Sequence, residues 1–221
     1  MTQASSSMAQ LEQQAAALRQ RIAQLDSAVL AFSGGVDSSL LAALGSEILG
    51  DKFIALTMRS PLMTAEELAE CAHFCTSYGI AHQFLDLDIL SNPDFIRNDA
   101  LRCYYCKRDI FTQLKSFAVT QGFAQIMDGS NSDDDPSRRP GMRVLTEQGI
   151  VSPLREEGFT KDQIRQLSRQ MGLSTWDKQS DSCLATRVAS GTLLSLDTIA
   201  TQATRAATSH NGHHDRKDDN R

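Results

Sequence analysis

Apolar residues recur at spacings of three and four over Met8, Leu11, Ala15, Leu18, Ile22 and Leu25, the stripe of an amphipathic helix laid against an apolar surface. After Asp26 and Ser27 the period gives way to a continuous run, Ala28-Val29-Leu30-Ala31-Phe32, which suits a strand buried on both faces of a parallel sheet. A glycine-bearing turn follows at once. The pattern then reads helix from Ser38 to Leu49, strand from Phe53 to Met58, helix from Thr64 to Tyr78 and strand from Ala81 to Leu87. Such βαβαβ order predicts a parallel sheet flanked by helices.

Further on, a helix is expected near Lys107 to Thr120 and a strand at Ala124 to Met127. The polar stretch from Ser130 to Gly149 reads as a loop, because Pro136, Pro140 and Gly141 interrupt any regular element. Val151 to Leu154 suits a last short strand. Thr160 is placed to cap a helix running through Met171, with Ile164, Leu167, Ser168 and Met171 on one side. A second loop runs from Gly172 past Cys183, a short helix is expected beyond Ser195, and Ser209 to Arg221 has no large apolar residue and reads as a disordered tail. His210, His213 and His214 in that tail could bind metal adventitiously. The expected organisation is an N-terminal helix over 1–27, an α/β domain over 28–171, a cysteine-bearing segment over 172–208 and a tail over 209–221.

A chain of 221 residues with 41% hydrophobic content can bury one real core. Its formal charge of -5 argues against a broad grip on nucleic acid. No stretch approaches the roughly 20 apolar residues of a membrane helix, and the polar, Gln-rich start lacks the layout of a signal peptide, so the expected location is the cytoplasm. Five cysteines, an odd number without a secretory signal, argue against a disulfide framework. Cys71 and Cys75 share a helical face with Leu68, Ala72 and Tyr78, which predicts core packing.

Candidate chemistry starts at Ser33-Gly34-Gly35-Val36-Asp37-Ser38-Ser39, between the buried strand and a helix start. An anion placed there meets unpaired backbone N–H groups and the positive end of the helix dipole. The glycines allow close backbone approach to phosphate oxygens, and the hydroxyls of Ser33, Ser38 and Ser39 can donate further hydrogen bonds. A carboxylate at Asp37 repels phosphates unless a divalent cation lies between them, which predicts Mg2+. These residues resemble the signature of PP-loop ATP pyrophosphatases, which lacks the Gly-Lys-Ser/Thr of a Walker A loop. That resemblance implies cleavage of ATP between the α and β phosphates. It also implies adenine near the end of the second strand, making Arg59 and Ser60 candidate nucleotide contacts.

Arg102-Cys103-Tyr104-Tyr105-Cys106-Lys107 places two thiols at an expected helix start, where the dipole and the basic neighbours should lower both pKa values. Cys183 lies downstream beside Arg187. Spacing alone leaves open an iron-sulfur cluster with one open iron, a redox C-x-x-C with an unrelated third cysteine, or a zinc site completed by histidine.

Taken together, the motifs resemble the ATP-dependent sacrificial sulfur transferases of nickel-pincer nucleotide biosynthesis, the LarE family, from the PP-loop to about Thr192. Ser33 to Ser39, Arg102 to Lys107, Asp128-Gly129-Ser130-Asn131 with Asp133 and Asp134, Arg139-Pro140-Gly141, Ser152-Pro153-Leu154, Trp176-Asp177-Lys178 and Cys183 to Arg187 carry the likeness. It implies an adenine nucleotide alpha hydrolase-like α/β fold, a doubly wound parallel sheet, with a short C-terminal appendage that reads as truncated beside the family's longer one. It further implies that a carboxylate of pyridinium-3,5-biscarboxylic acid mononucleotide is adenylated and converted to a thiocarboxylate, on the way to the nickel cofactor of lactate racemase-type enzymes.

Family members with only the cysteine matching Cys183 give up its sulfur and are left with dehydroalanine. Those with three are similar to this chain and imply a 4Fe-4S cluster on Cys103, Cys106 and Cys183. Asp37, Lys107, Cys183 and Arg187 are then the catalytic candidates. Ser33, Gly34, Gly35, Asp37, Ser38, Ser39, Arg59, Ser60, Gly129 and Asp134 would hold ATP and Mg2+. The expected partners are the small mononucleotide and further copies of the chain in a homo-oligomer. Two alternatives stand beside this reading: a PP-loop enzyme that thiolates tRNA, and a truncated, non-catalytic nucleotide- or cluster-binding protein.

Overall fold

The computed structural model describes residues 3–137, 139–180 and 183–211. In chain order the elements are α1 (Gln3–Ala23), β1 (Ala28–Ala31), α2 (Val36–Leu49), β2 (Phe53–Arg59), α3 (Ala65–Ser77), β3 (His82–Asp86), α4 (Pro93–Ile96), α5 (Arg102–Gln121), β4 (Gln125–Met127), α6 (Met142–Gln148), α7 (Pro153–Glu156), α8 (Lys161–Gln170) and α9 (Leu196–Asn211). A 3-10 turn spans Leu184–Arg187. The four strands form one parallel sheet in the order β3-β2-β1-β4.

The continuous apolar run of β1 follows from burial on both faces, since its residues alternate between two separate cores. Ala28 and Leu30 pack with Leu18, Ile22, Leu40, Leu41, Phe74 and Ile164, under α1, α2, α3 and α8. Val29 packs with Leu56, Phe111, Leu114, Val144 and Leu184 on the opposite side, under α5, α6 and the 3-10 turn. Capping boxes start α3 at Thr64 with Glu67 and α8 at Thr160 with Gln163, the latter where the sequence places a cap. Cys71 and Cys75 are buried, and burial pushes the Cys75 thiol up to about 12, consistent with packing residues that stay protonated.

Three expectations fail. The polar stretch after Ser130 is not loop throughout: Met142, Val144 and Leu145 bury one side of α6, and Gly149, in the left-handed conformation, ends it. Val151 makes only a single parallel bridge to Met127, because Pro153 opens α7 where a strand would have continued. The last helix, α9, continues through Asn211, past the expected start of the tail at Ser209; residues 212–221 lie outside the described residues. Among the described residues, no helix is long and apolar enough to cross a membrane.

Candidate nucleotide and sulfur site

Gly35 caps α2 in an extended conformation with no side-chain hydrogen bond, which leaves the first-turn N–H groups open toward a ligand. Ser38 Oγ braces the loop, donating to Gly35 O at 3.1 Å and accepting from Ser33 N at 3.3 Å. Gly34 answers what lies beneath the loop. Its φ is +70°, and a Cβ there would stand 2.7 Å from Cys71 Sγ. Lys178 Nζ secures the same turn by donating to Gly34 O at 3.2 Å and to Glu70 at 2.7 Å.

A cavity of about 480 Å³ opens above the loop, at the C-terminal ends of β1 and β4 where parallel sheets bind ligands. Ser33, Gly35, Asp37 and Ser38 line it from the loop, Gly129 and Asp134 from the segment after β4, and Lys107, Arg139 and Lys161 supply positive charge. Gly129 is held there by closeness: a Cβ would lie 3.2 Å from Ser38 N. Asp37 Oδ2 accepts from Lys161 Nζ at 2.7 Å, while its Oδ1 is buried without a hydrogen-bond partner. A buried carboxylate oxygen left open beside a cavity at the phosphate loop fits a divalent cation. Ser39 Oγ is likewise buried and unpartnered.

Asp128, Ser130, Ser152 and Lys107 come from three separate motifs, and their meeting in one polar junction is not announced by any of them. Asp128, at 5% exposure, accepts from Ser130 N and Ser152 Oγ on one oxygen, at 3.2 and 2.6 Å. Its other oxygen accepts from Ser130 Oγ at 2.7 Å and Lys107 Nζ at 3.4 Å. Lys107 is thereby aimed from α5 into the cavity. Lys161, the first residue of α8, also escaped notice, since a lysine after a capping threonine gives no local sign of facing a loop 124 residues away. Asp134 accepts from Asn131 N at 3.1 Å and pairs with Arg139.

Arg59 and Ser60 do not line this cavity. Arg59 forks onto Asp86 of the neighbouring strand at 2.5 and 2.9 Å, and Ser60 Oγ accepts from Leu62 N at 3.3 Å.

None of Cys103, Cys106 and Cys183 lines the cavity, but neighbours of each in the chain do. Cys103 and Cys106 occupy the first turn of α5, and Lys107, next in sequence, lines the cavity. Ser180, three residues before Cys183, lines it too. Gly141 closes on Cys103, where a Cβ would lie 3.0 Å from Cys103 O. The expectation that both C-x-x-C thiols favour thiolate is overturned for Cys106: burial, then the charges of Cys183 and Cys103, push it up to about 12. Cys106 thus feels the charges of both Cys103, on its own helix, and Cys183, on the other segment. Among the described residues, no three His, Cys, Asp or Glu side chains are grouped to hold a single metal ion. Arg187 is half-buried at the end of the 3-10 turn.

A Ser-Gly-Gly-x-Asp-Ser loop joining the first strand of a parallel sheet to an uncapped helix defines a PP-loop nucleotide-binding protein. The NAD synthase family profile matches residues 10–93. An NH3-dependent NAD synthetase from Campylobacter jejuni, solved with a nitrate ion, shares the fold with a TM-score of 0.55 at 17% identity, over 94% of this chain and 96% of its own. Two relatives narrow the class. The chain is 36% identical to an uncharacterized protein of Synechocystis over 86% of this chain and 70% of that one. It is 32% identical to the pyridinium-3,5-bisthiocarboxylic acid mononucleotide synthase of Lactiplantibacillus plantarum over 87% of this chain and 70% of that one. The chain belongs to the family of that synthase.

Proposed function

We propose that the protein is an ATP-dependent sulfur transferase that adenylates a carboxylate of pyridinium-3,5-biscarboxylic acid mononucleotide and converts it to a thiocarboxylate. The observation that supports this reading is that the PP-loop, Asp37 and Lys107 line one cavity, and that Lys107 directly follows Cys106 in the first turns of α5. A carboxylate cannot expel oxide at neutral pH, so it must first become a mixed anhydride. Its oxygen attacks the α-phosphorus of ATP and pyrophosphate leaves; a sulfur nucleophile then attacks the carbonyl carbon and AMP leaves.

The open N–H groups of α2 and the hydroxyls of Ser33 and Ser38 would hold the departing phosphates. A divalent cation on Asp37 would neutralise charge on those phosphates when bound. Lys107, positioned by Asp128, and Arg187 would orient the substrate's anionic groups. Cys103, Cys106 and Cys183 would hold a 4Fe-4S cluster, a larger body than a single ion, and such a cluster would supply a labile sulfide. Without one, Cys183, exposed at the head of its turn, is the residue to surrender sulfur.

The test is anaerobic purification with iron and sulfide analysis, followed by incubation with ATP, Mg2+ and the dicarboxylate mononucleotide. Pyrophosphate, product mass and protein mass are then followed together. Substrate-dependent pyrophosphate and a sulfur-bearing product support the reading. An unchanged protein mass assigns the sulfur to the cluster, and loss of one sulfur at Cys183 assigns it to the residue. ATP binding without substrate-dependent pyrophosphate would overturn it.

A further inference from the structure

The segment that carries Cys183 is held to the domain by backbone hydrogen bonds, from Leu184 N to Leu62 O at 3.5 Å and from Leu194 N to Ile96 O at 2.9 Å, and between these by the side chains of Asn98 and Arg102. Asn98, just after α4, is fully buried and has a left-handed backbone, φ 53°. Its carboxamide donates to Ala189 O at 2.9 Å and Thr192 O at 3.0 Å, and its Oδ1 accepts from Arg102 Nη1 at 2.5 Å. Its backbone oxygen accepts from Gly191 N at 3.0 Å and Ser190 Oγ at 3.3 Å. Every polar atom of the side chain is thus used, and the partners fix which end is nitrogen.

Arg102 extends the junction. The nitrogen that meets Asn98 also donates to Ala185 O at 3.0 Å, two residues from Cys183, and the other terminal nitrogen lies 3.9 Å from Cys103 Sγ. One amide–guanidinium pair therefore ties the segment bearing Cys183 to the helix start bearing Cys103. Apolar burial of Leu184, Ala185, Val188 and Leu194 would hold the segment against the domain without fixing its position along it. Directional hydrogen bonds to Ala185, Ala189 and Thr192 do fix it.

We infer that Asn98, acting with Arg102, is a positioning residue that sets Cys183 against the Cys103–Cys106 turn for sulfur delivery. The inference rests on the sulfur-transfer reading above. Asn98 does not line the nucleotide cavity, so its loss should separate the two half-reactions. A catalytic sulfur displaced by about 1 Å costs on the order of a hundredfold in rate. Glycine keeps the left-handed backbone available, so Asn98→Gly removes the carboxamide alone.

For Asn98→Gly we expect substrate-dependent pyrophosphate release within about twofold of the parent chain and thiocarboxylate formation lower by about a hundredfold. Amide hydrogen exchange over residues 184–194 should quicken about tenfold, and the ratio of iodoacetamide labelling at Cys183 to that at Cys103 should change. Asn98→Asp keeps the Arg102 pair and turns an oxygen toward Ala189 O and Thr192 O; it should reproduce the same separation, which guards against a folding defect peculiar to glycine. Thiocarboxylate formation within about threefold of the parent in either soluble variant would overturn the inference, as would parallel loss of both half-reactions in both variants. A parent chain that makes no thiocarboxylate would instead sink the sulfur-transfer reading, whereas unchanged exchange and labelling in both variants would sink the positioning role by itself.

Discussion

Replacing Gly34 by alanine introduces two costs that can be measured apart. The backbone at φ +70° is open to glycine but costs a residue with a Cβ about 1–2 kcal/mol. The new methyl would also stand 2.7 Å from Cys71 Sγ, inside van der Waals contact, and crowding of a packed core costs about 1–3 kcal/mol. Gly34→Ala should therefore lower stability by about 2–5 kcal/mol. Cys71→Ala alone removes a buried sulfur and should cost about 1–2 kcal/mol. In the Gly34→Ala background the same change frees the space the methyl needs. The double variant should then be more stable than the summed single effects predict, by about 1–3 kcal/mol, with the backbone cost remaining. Urea unfolding followed by far-ultraviolet circular dichroism and by fluorescence of Trp176, the chain's one tryptophan, gives all four corners of the cycle. Effects that add within about 0.5 kcal/mol would show that the loop does not rest on Cys71 and refute the reasoning.

Asp128→Asn sets an amide nitrogen against groups that already donate and strips Lys107 of its partner; a loss of about 3 kcal/mol in urea unfolding is expected. Lys161→Met removes the ammonium paired with Asp37, so Mn2+ should bind the nucleotide-free chain about fivefold more tightly by calorimetry; equal affinity would mean that Asp37 is not the cation's ligand. Burial holds the His82 imidazole below its ordinary 6.5, so the unfolded chain takes up the proton first. Its contribution is complete above pH 6.5 and is lost as pH falls through the folded value; His82→Gln should flatten the decline in unfolding midpoint below that pH.

What the sequence made legible was local. The β1 run, the loop after it and the cap of α8 each carry their signal within a few residues, and each forms as read. α6 was hidden because its seven residues follow Pro140 and Gly141 and owe their helix to burial of Met142, Val144 and Leu145 against distant neighbours. The site followed the same division. Ser33, Asp37, Ser38, Lys107 and Gly129 fall into one cavity as their motifs suggested. The partners that organise it, Lys161 on Asp37 and Asn98 on Ala189, are joined by contacts 124 and 91 residues apart, which no spacing pattern announces. Cys106 was misjudged for a related reason: flanking basic residues are visible in sequence, whereas the depth of burial that outweighs them is not.

The sheet parts the interior into two cores, one on each of its faces. One anchors α2 and α8, with the phosphate loop and Lys161; the other anchors α5 and the 3-10 turn, with the cysteines. Drift in the side chains of one core leaves the packing of the other undisturbed, because substitutions without shared partners act independently. Descendants of such a chain can therefore remodel the packing around the cysteines on one face while inheriting an unaltered seat for the phosphate loop on the other.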